Sequence, residues 1–189
     1  MPYVQNALSF TIETLIGLYL IAVILRFLFQ LLRIDFRNPI VQMIVTITNP
    51  PIIFLRKFIP GLYGIDLASL LLIVIIGMAK LALLLFVAGY SIKWSGVLVL
   101  SLADSLNAVI WVFLIAVLIR IILSWIAPRS YHPAVRILDG LSEPILAPFR
   151  RLLPSMGGLD LSPILTLLAL RLVQQLVVSP LTDFGRSLL

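Results

Sequence analysis

The chain has 189 residues, of which 61% are apolar and only 12% charged, against roughly half and a quarter in a soluble domain. That excludes a water-soluble globule, whose interior could not hold so much apolar side chain, and makes a lipid bilayer the expected solvent. The net charge of +6 sits on Lys and Arg at the ends of apolar runs, which points to orientation by the positive-inside rule rather than to nucleic acid.

There is no cysteine, so disulfides, thiolate catalysis and iron–sulfur ligation are excluded. One histidine, His132, is too few for a usual zinc site. No Lys or Arg precedes the first apolar run, so a cleaved signal peptide is not expected and that run should remain as a span.

Four runs approach the ~20 apolar residues of a membrane helix. They cover about residues 10–32, 67–90, 106–127 and 161–178, the last being the shortest and least apolar. Residues 97–102 should extend the third helix, with Asp104 and Asn107 at the interface. Between the first two runs stands a proline-cut basic segment, residues 33–66, and between the last two another, residues 128–160. Asn38 before Pro39, Thr48 or Asn49 before Pro50 and Pro51, His132 before Pro133, and Ser142-Glu143-Pro144 each read as a helix start. Two short helices per segment are expected, lying in the membrane interface. A re-entrant hairpin is the competing geometry, and it requires its freed backbone groups to be buried in protein.

The two segments are one phrase written twice. Arg26, Pro39, Pro50, Arg56, Pro60, Gly64 and Asp66 recur without a gap, 94 positions on, as Arg120, Pro133, Pro144, Arg150, Pro154, Gly158 and Asp160. Lys57 recurs as Arg151. Apolar runs coincide by chance, but prolines, arginines and an aspartate in unbroken register indicate internal duplication. The expected domains are residues 1–93 and 94–189. The fold expected is an all-α polytopic membrane protein. It has four transmembrane helices in two parallel tandem repeats, each with short amphipathic interfacial or re-entrant helices between its spans. Arg33, Arg37, Arg56 and Lys57 in one segment and Arg129, Arg136, Arg150 and Arg151 in the other outnumber Lys93 and Arg186 at the opposite ends of the spans. Both segments should therefore be cytoplasmic and both termini outside.

A membrane arginine, an Asn-Pro or Glu-Pro pair (Asn49-Pro50, Glu143-Pro144), a basic pair, a proline, Gly-x-Asp and a second helix together resemble the YggT (YlmG-like) family. The resemblance covers about residues 12–178. The second copy departs from the first at Glu143 for Asn49 and at residues 155–157 for 61–63. The resemblance implies a small integral inner-membrane protein of bacteria with no established enzymatic activity. It also implies links to osmotic or potassium homeostasis, to cell division and nucleoid organisation, and, in chloroplasts, to cytochrome b6 maturation.

Read from the residues themselves, Arg26 and Arg120 lie inside apolar runs, about 10 Å from the cytoplasmic end. Each either snorkels to the headgroups or reaches the polar segment of its own copy, with Asp66 and Asp160 as the anions. The same aspartates read as helix N-caps, and Gly64 and Gly158 as tight-turn residues. Lys80 and Arg171 are intramembrane cations: Glu13 is the expected partner of the first, while Arg171 reads either as an anion or headgroup site or as a packed, hydrogen-bonded arginine. "GLYG" at 61–64 lacks the rest of a potassium filter, and the second copy loses it. No nucleophile–base or phosphate-loop motif stands out, and no cofactor or metal is expected. Two functional readings follow: a non-enzymatic membrane organiser or assembly factor meeting anionic headgroups and another membrane protein or a second copy, or a component of a potassium or proton transport system.

Overall fold

The computed structural model describes residues 2–59, 61, 64–126, 132–152 and 160–189. The described residues are almost wholly helical. In chain order they form α1 (Pro2–Leu31), α2 (Pro39–Arg56), α3 (Leu67–Ala88), α4 (Trp94–Ile126), α5 (Pro133–Leu152) and α6 (Ser162–Val173). A π-helical turn (Gln174–Val178) then leads directly into α7 (Ser179–Ser187). Five stretches are long and apolar enough to cross a membrane: Tyr3–Leu31, Pro39–Arg56, Leu67–Ala88, Trp94–Ile126 and Ser162–Ser187.

Each boundary has a local cause. α1 ends with Arg33 in the left-handed region at φ 54°, while the Ile34 amide bonds back to the Phe29 carbonyl at 2.9 Å. That closing geometry usually takes glycine, and a non-glycine residue there costs about 1–2 kcal/mol. Asn38 caps α2 as expected, accepting from the Ile40 amide at 3.0 Å with Pro39 in the first turn. Asp66 caps α3 by accepting from the Ser69 amide, and Gly64 supplies the preceding turn at φ 84°. Gly89, at φ 77°, closes α3. Pro60, Pro154 and Gly158 lie outside the described residues.

The expectation of two short helices per basic segment is corrected. α2 is one helix of 18 residues with Pro50 and Pro51 inside it, and α5 one of 20 with Pro144 and Pro148 inside it. The prolines remove amide donors, but the carbonyls they free begin on the exposed residues Thr46 and Ile47 in α2. Thr48 and Ser142 start no helix; their hydroxyls donate back to the Ile44 and Leu138 carbonyls, both at 2.7 Å. A stripe of Val41, Ile44, Thr48 and Ile52 buries one face of α2. Val135, Ser142 and Leu146, 94 positions on from the first, third and fourth of these, are buried on α5.

The placement of α2 decides how its length is used. A helix of that length spans about 27 Å, so running down α1 it would carry Arg56 far from the α1 C-terminus. Instead Arg56 donates to Gln30, next to the last residue of α1, at 3.3 Å. At the other end of α2, the Asn38 side-chain amide donates to the Pro133 carbonyl at 2.8 Å. Both ends of α2 therefore lie at one end of the bundle, and the helix lies across it. α5 sits against the end of α4 in the same way, with Glu143, Leu146 and Arg150 beside Arg120, Ser124 and Trp125. At the opposite end, Gln5 bonds to the Val87 carbonyl at 2.8 Å, and Gly96 and Gly185 let Leu189 and Leu100 approach closely.

The main core is at the end capped by α2 and α5. It joins Leu20, Ile24 and Phe29 of α1 to Ile52, Leu72 and Leu141. Elsewhere the long helices are apolar outward as well, with Phe10, Leu18, Phe86, Ile122 and Leu176 all exposed, as helices solvated by lipid tails are. α3 and α4 meet through small residues: a Cβ on Gly77 would stand 3.3 Å from both Ser101 Cβ and Ser105 Oγ, the kind of contact that lets membrane helices close on one another. Gly17 has nothing within 4 Å of such a Cβ. Gly77→Leu should therefore destabilise the protein by about 1–3 kcal/mol and lower its unfolding temperature in detergent. Gly17→Leu should leave that temperature nearly unchanged, and equal effects of the two would contradict this packing.

Candidate functional site

Two clamps, 94 residues apart, hold the crosswise helices. In the first copy Arg56 Nη2 donates to Asp66 Oδ2 at 2.7 Å, with the aspartate side chain 4% exposed. Ser69 Oγ donates to the same oxygen at 2.5 Å. One carboxylate thus caps α3 and fastens the C-terminus of α2 to it. In the second copy Arg150 Nε donates to Asp160 Oδ2 at 3.1 Å and its Nη1 to Glu143 Oε1 at 2.6 Å. Asp160 also accepts from the Ser162 amide at 2.9 Å. The second clamp is more exposed, each of its three side chains being about half accessible.

The expected Arg26–Asp66 pair is not formed. Arg26 does reach the polar segment of its own copy, and it is 4% exposed. Its Nη1 donates to the Val45 carbonyl at 3.0 Å, to Thr48 Oγ1 at 3.0 Å and to Asn49 Oδ1 at 2.7 Å. These acceptors stand just before Pro50, so the guanidinium secures the backbone where the prolines interrupt it. Asp66 goes to Arg56 because that arginine is ten residues away at the facing end of α2, whereas Arg26 is occupied deeper in. Arg120 likewise does not take Asp160; it pairs with Asp139, which stands where the first copy has Val45. Snorkelling is excluded for Arg26 by its burial and bonds. Pro50 and Pro144 are exposed on their helices, and Lys57 and Arg151 are exposed beside the clamps.

A second polar cluster lies between the long helices. Lys80 pairs with Asp104, not with Glu13 as expected, although Glu13 lines both clefts that flank the pair. These clefts measure about 370 and 330 Å³. Asp104 is not at the end of α4 but ten residues inside it, opposite Lys80. α3, at 22 residues, is about 33 Å long, close to the thickness of a bilayer's hydrocarbon core. Lys80 stands about 4 Å from its middle. Arg171, exposed on α6, lies over the Trp111 ring at 5.0 Å and donates to Gln174 Oε1 at 2.9 Å. Gln174 opens the π turn and donates to Asn107 at 2.5 Å. Sequence reasoning set Asp104 at the interface and so missed its pairing with Lys80, and it missed the π turn. The signal for the first was present: Lys80 and Asp104, like Gly77 and Ser105, are symmetrical about the short connection between α3 and α4.

The chemistry of these groups is positional. Among the described residues no group of three or more metal-ligating side chains assembles, and the clamps bind protein to protein. Burial alone would push the Asp66 carboxyl up, but the bonds from Arg56 and Ser69 outweigh it and hold it below the usual carboxylate range. The stability this contributes is fully present above the unfolded value of about 4 and is lost as pH falls through the lower folded one. Asp66→Asn should flatten the acid limb of the unfolding-temperature profile in detergent. Asp66→Ala, which also removes the cap, should cost about 1–3 kcal/mol at neutral pH. An unchanged acid limb in Asp66→Asn would show that the clamp does not carry this dependence.

A family model described as CCB3/YggT matches residues 5–87 and again 99–181, the two matches displaced by the same 94 residues as the clamps. An uncharacterized protein of Pseudomonas aeruginosa is 45% identical over 94% of this chain and 91% of its own length. The uncharacterized protein YggT of Escherichia coli K12 is 36% identical over 98% of this chain and 96% of its own. An uncharacterized protein of Vibrio alginolyticus is 38% identical over 88% and 91%. No solved structure matches. With two family matches in one register and relatives aligned over nearly its whole length, the chain belongs to the CCB3/YggT family.

Proposed function

We propose that this is a non-enzymatic protein of the bacterial inner membrane, made of two parallel repeats, residues 1–93 and 94–189. In this reading it crosses the bilayer four times, through α1, α3, α4 and the run from α6 to α7. α2 and α5 lie flat on the cytoplasmic surface, and both termini are outside. The protein serves as an organiser or assembly platform. Its basic helical surface meets anionic headgroups and docks another membrane protein or a second copy, in processes such as the osmotic-stress response or cell division.

The observation that carries this reading is the crosswise placement of α2 and α5 at one end of the bundle, each fastened by an arginine–aspartate clamp. α2 is long and apolar enough to span, yet both its ends are tied to the same end of α1 and α3. Arg33, Arg37, Arg56, Lys57, Arg136, Arg150 and Arg151 gather there, with Lys93 and Arg186 at the far end. That asymmetry orients a membrane protein with its basic end inward, and a basic interfacial helix suits an anionic leaflet.

The transport reading draws support from a different observation, the charged Lys80–Asp104 pair and its clefts within the hydrocarbon thickness, since ionisable groups at that depth mark solute or proton paths.

The absence of cysteine makes the topology testable without background. Lys57→Cys and Arg151→Cys should react with a membrane-impermeant maleimide only after the cytoplasmic face is opened, and Ser187→Cys in intact spheroplasts. Labelling of positions 57 and 151 from opposite sides would overturn the platform reading. Purified protein in liposomes should give no potassium or proton flux above empty vesicles; a flux abolished by Lys80→Met would instead establish the transport reading.

A further inference from the structure

Where the two copies meet at the basic end, the α1–α2 connection and the start of α5 enclose a pocket of about 310 Å³. This is the lower end of the range for small-ligand sites. Its charged lining is Arg33, Arg37 and Arg136 against the single acid Asp35. Asp35 Oδ1 is engaged, accepting from the Arg37 backbone amide at 2.9 Å. The three guanidinium groups are exposed, and among the described residues none has a protein hydrogen-bond or ion-pair partner. Among the other described arginines, Arg26, Arg56, Arg120, Arg150, Arg171 and Arg186 are engaged, and Arg151, exposed beside the second clamp, is not. The repeat does not explain the gathering, because Arg33 and Arg37 come from the first copy and Arg136 from the second.

Two features show that the pocket is built. Gly140 in its wall has no room for a side chain, since a Cβ there would come within 2.9 Å of Ile34; the α1 end and α5 are thus pressed together behind the arginines. Asn38, buried beside it, ties the copies by its bond to the Pro133 carbonyl. Arg33 holds a left-handed conformation, φ 54°, that glycine would take without strain. A charged side chain standing where the backbone favours glycine is strain that a role for that side chain would account for. Forked guanidinium donors are matched to phosphate oxygens.

We propose that this pocket binds a phosphate-bearing anion, the headgroup of an anionic lipid, between Arg33, Arg37 and Arg136. The lipid source rests on the placement of α2 and α5 at the leaflet surface; the phosphate chemistry rests on the arginines. An inorganic phosphate ion offers the same chemistry from solution. The bound anion would neutralise like charges contributed by both copies and so join them at the seam.

The test uses the full chain in detergent with equimolar phosphatidylglycerol, cardiolipin and phosphatidylcholine, and counts retained lipid by native mass spectrometry. Wild type should retain an anionic lipid in preference to phosphatidylcholine. At about 1.5–3 kcal/mol for a hydrogen bond to a charged group, each substitution should weaken that preference at least about tenfold. The decisive variant is Arg33→Gly, which relieves the backbone strain: its unfolding temperature should equal or exceed wild type while the preference falls. Arg37→Ala with Arg136→Ala should lower it further, and Arg136→Lys should recover part of it. In a second arm, inorganic phosphate is added without lipid. Stabilisation of wild type but not of Arg33→Gly, with no lipid preference, would assign the pocket to the soluble ion. The proposal is overturned if neither probe distinguishes wild type from Arg33→Gly, or if Lys57→Ala loses as much preference as Arg33→Gly, which means diffuse attraction to a basic face. Failure here with positions 57 and 151 still labelled from one side removes the pocket alone; labelling from opposite sides removes the platform reading as well.

Discussion

The architecture depends on one ion pair used twice. An arginine near the C-terminal end of an amphipathic helix meets an aspartate at the head of the following long helix, as Arg56 with Asp66 and Arg150 with Asp160. Without that bond the C-terminal end of α2, apolar and of spanning length, would lose its charged tie to α3, leaving the grip of Arg26, the buried face and the Asn38 bond to hold the helix across the bundle. With it, the helix is held by both ends across the tips of its neighbours. The aspartate is suited to the task because its charge also favours the N-terminus of the long helix that it precedes. One carboxylate thus satisfies orphan backbone donors and fixes the angle between two helices.

Duplication preserved this frame and let its details diverge. In the first copy the clamp is buried and the membrane arginine is wrapped by Val45, Thr48 and Asn49. In the second the clamp is exposed, and Arg120 takes a carboxylate, Asp139, in place of a backbone carbonyl. Glu143, standing where Asn49 does, has moved from serving the membrane arginine to serving the clamp. The two crosswise helices therefore offer different surfaces: α2 exposes Met43, Ile47 and Phe54, while α5 exposes Arg136, Glu143 and Arg151. One is suited to acyl chains, the other to headgroups or a polar partner. The seam between them gathers three of the four described arginines that neither copy pairs internally.

The polar cluster between the long helices is a separate layer. Lys80, Asp104, Asn107, Gln174 and Arg171 satisfy one another or an aromatic ring at a depth where an isolated charge would be expensive. The π turn at Gln174–Val178 adjoins the same arrangement, since its first residue, Gln174, donates to Asn107. Small residues at the α3–α4 contact bring the two copies close enough for these bonds to form.

Much of this was fixed by local sequence. The Asn38 and Asp66 caps and the Gly64 turn follow from residue type because their partners lie within a few residues, and the 94-residue register is read directly from the recurrence of identical residues. The continuity of α2 through Pro50 and Pro51 did not follow, since proline signals a helix start and a helix interruption alike, and only the exposure of the freed carbonyls and the grip of Arg26 decide between them. The partners of Arg26, Lys80 and Arg120 did not follow either. Several acceptors were within reach of each in sequence, and the choice among them was made by the crossing of α2 and α5 over the bundle and by the close approach of α3 to α4. Charge pairs in a bilayer form wherever packing brings them together, so tertiary structure alone assigned them.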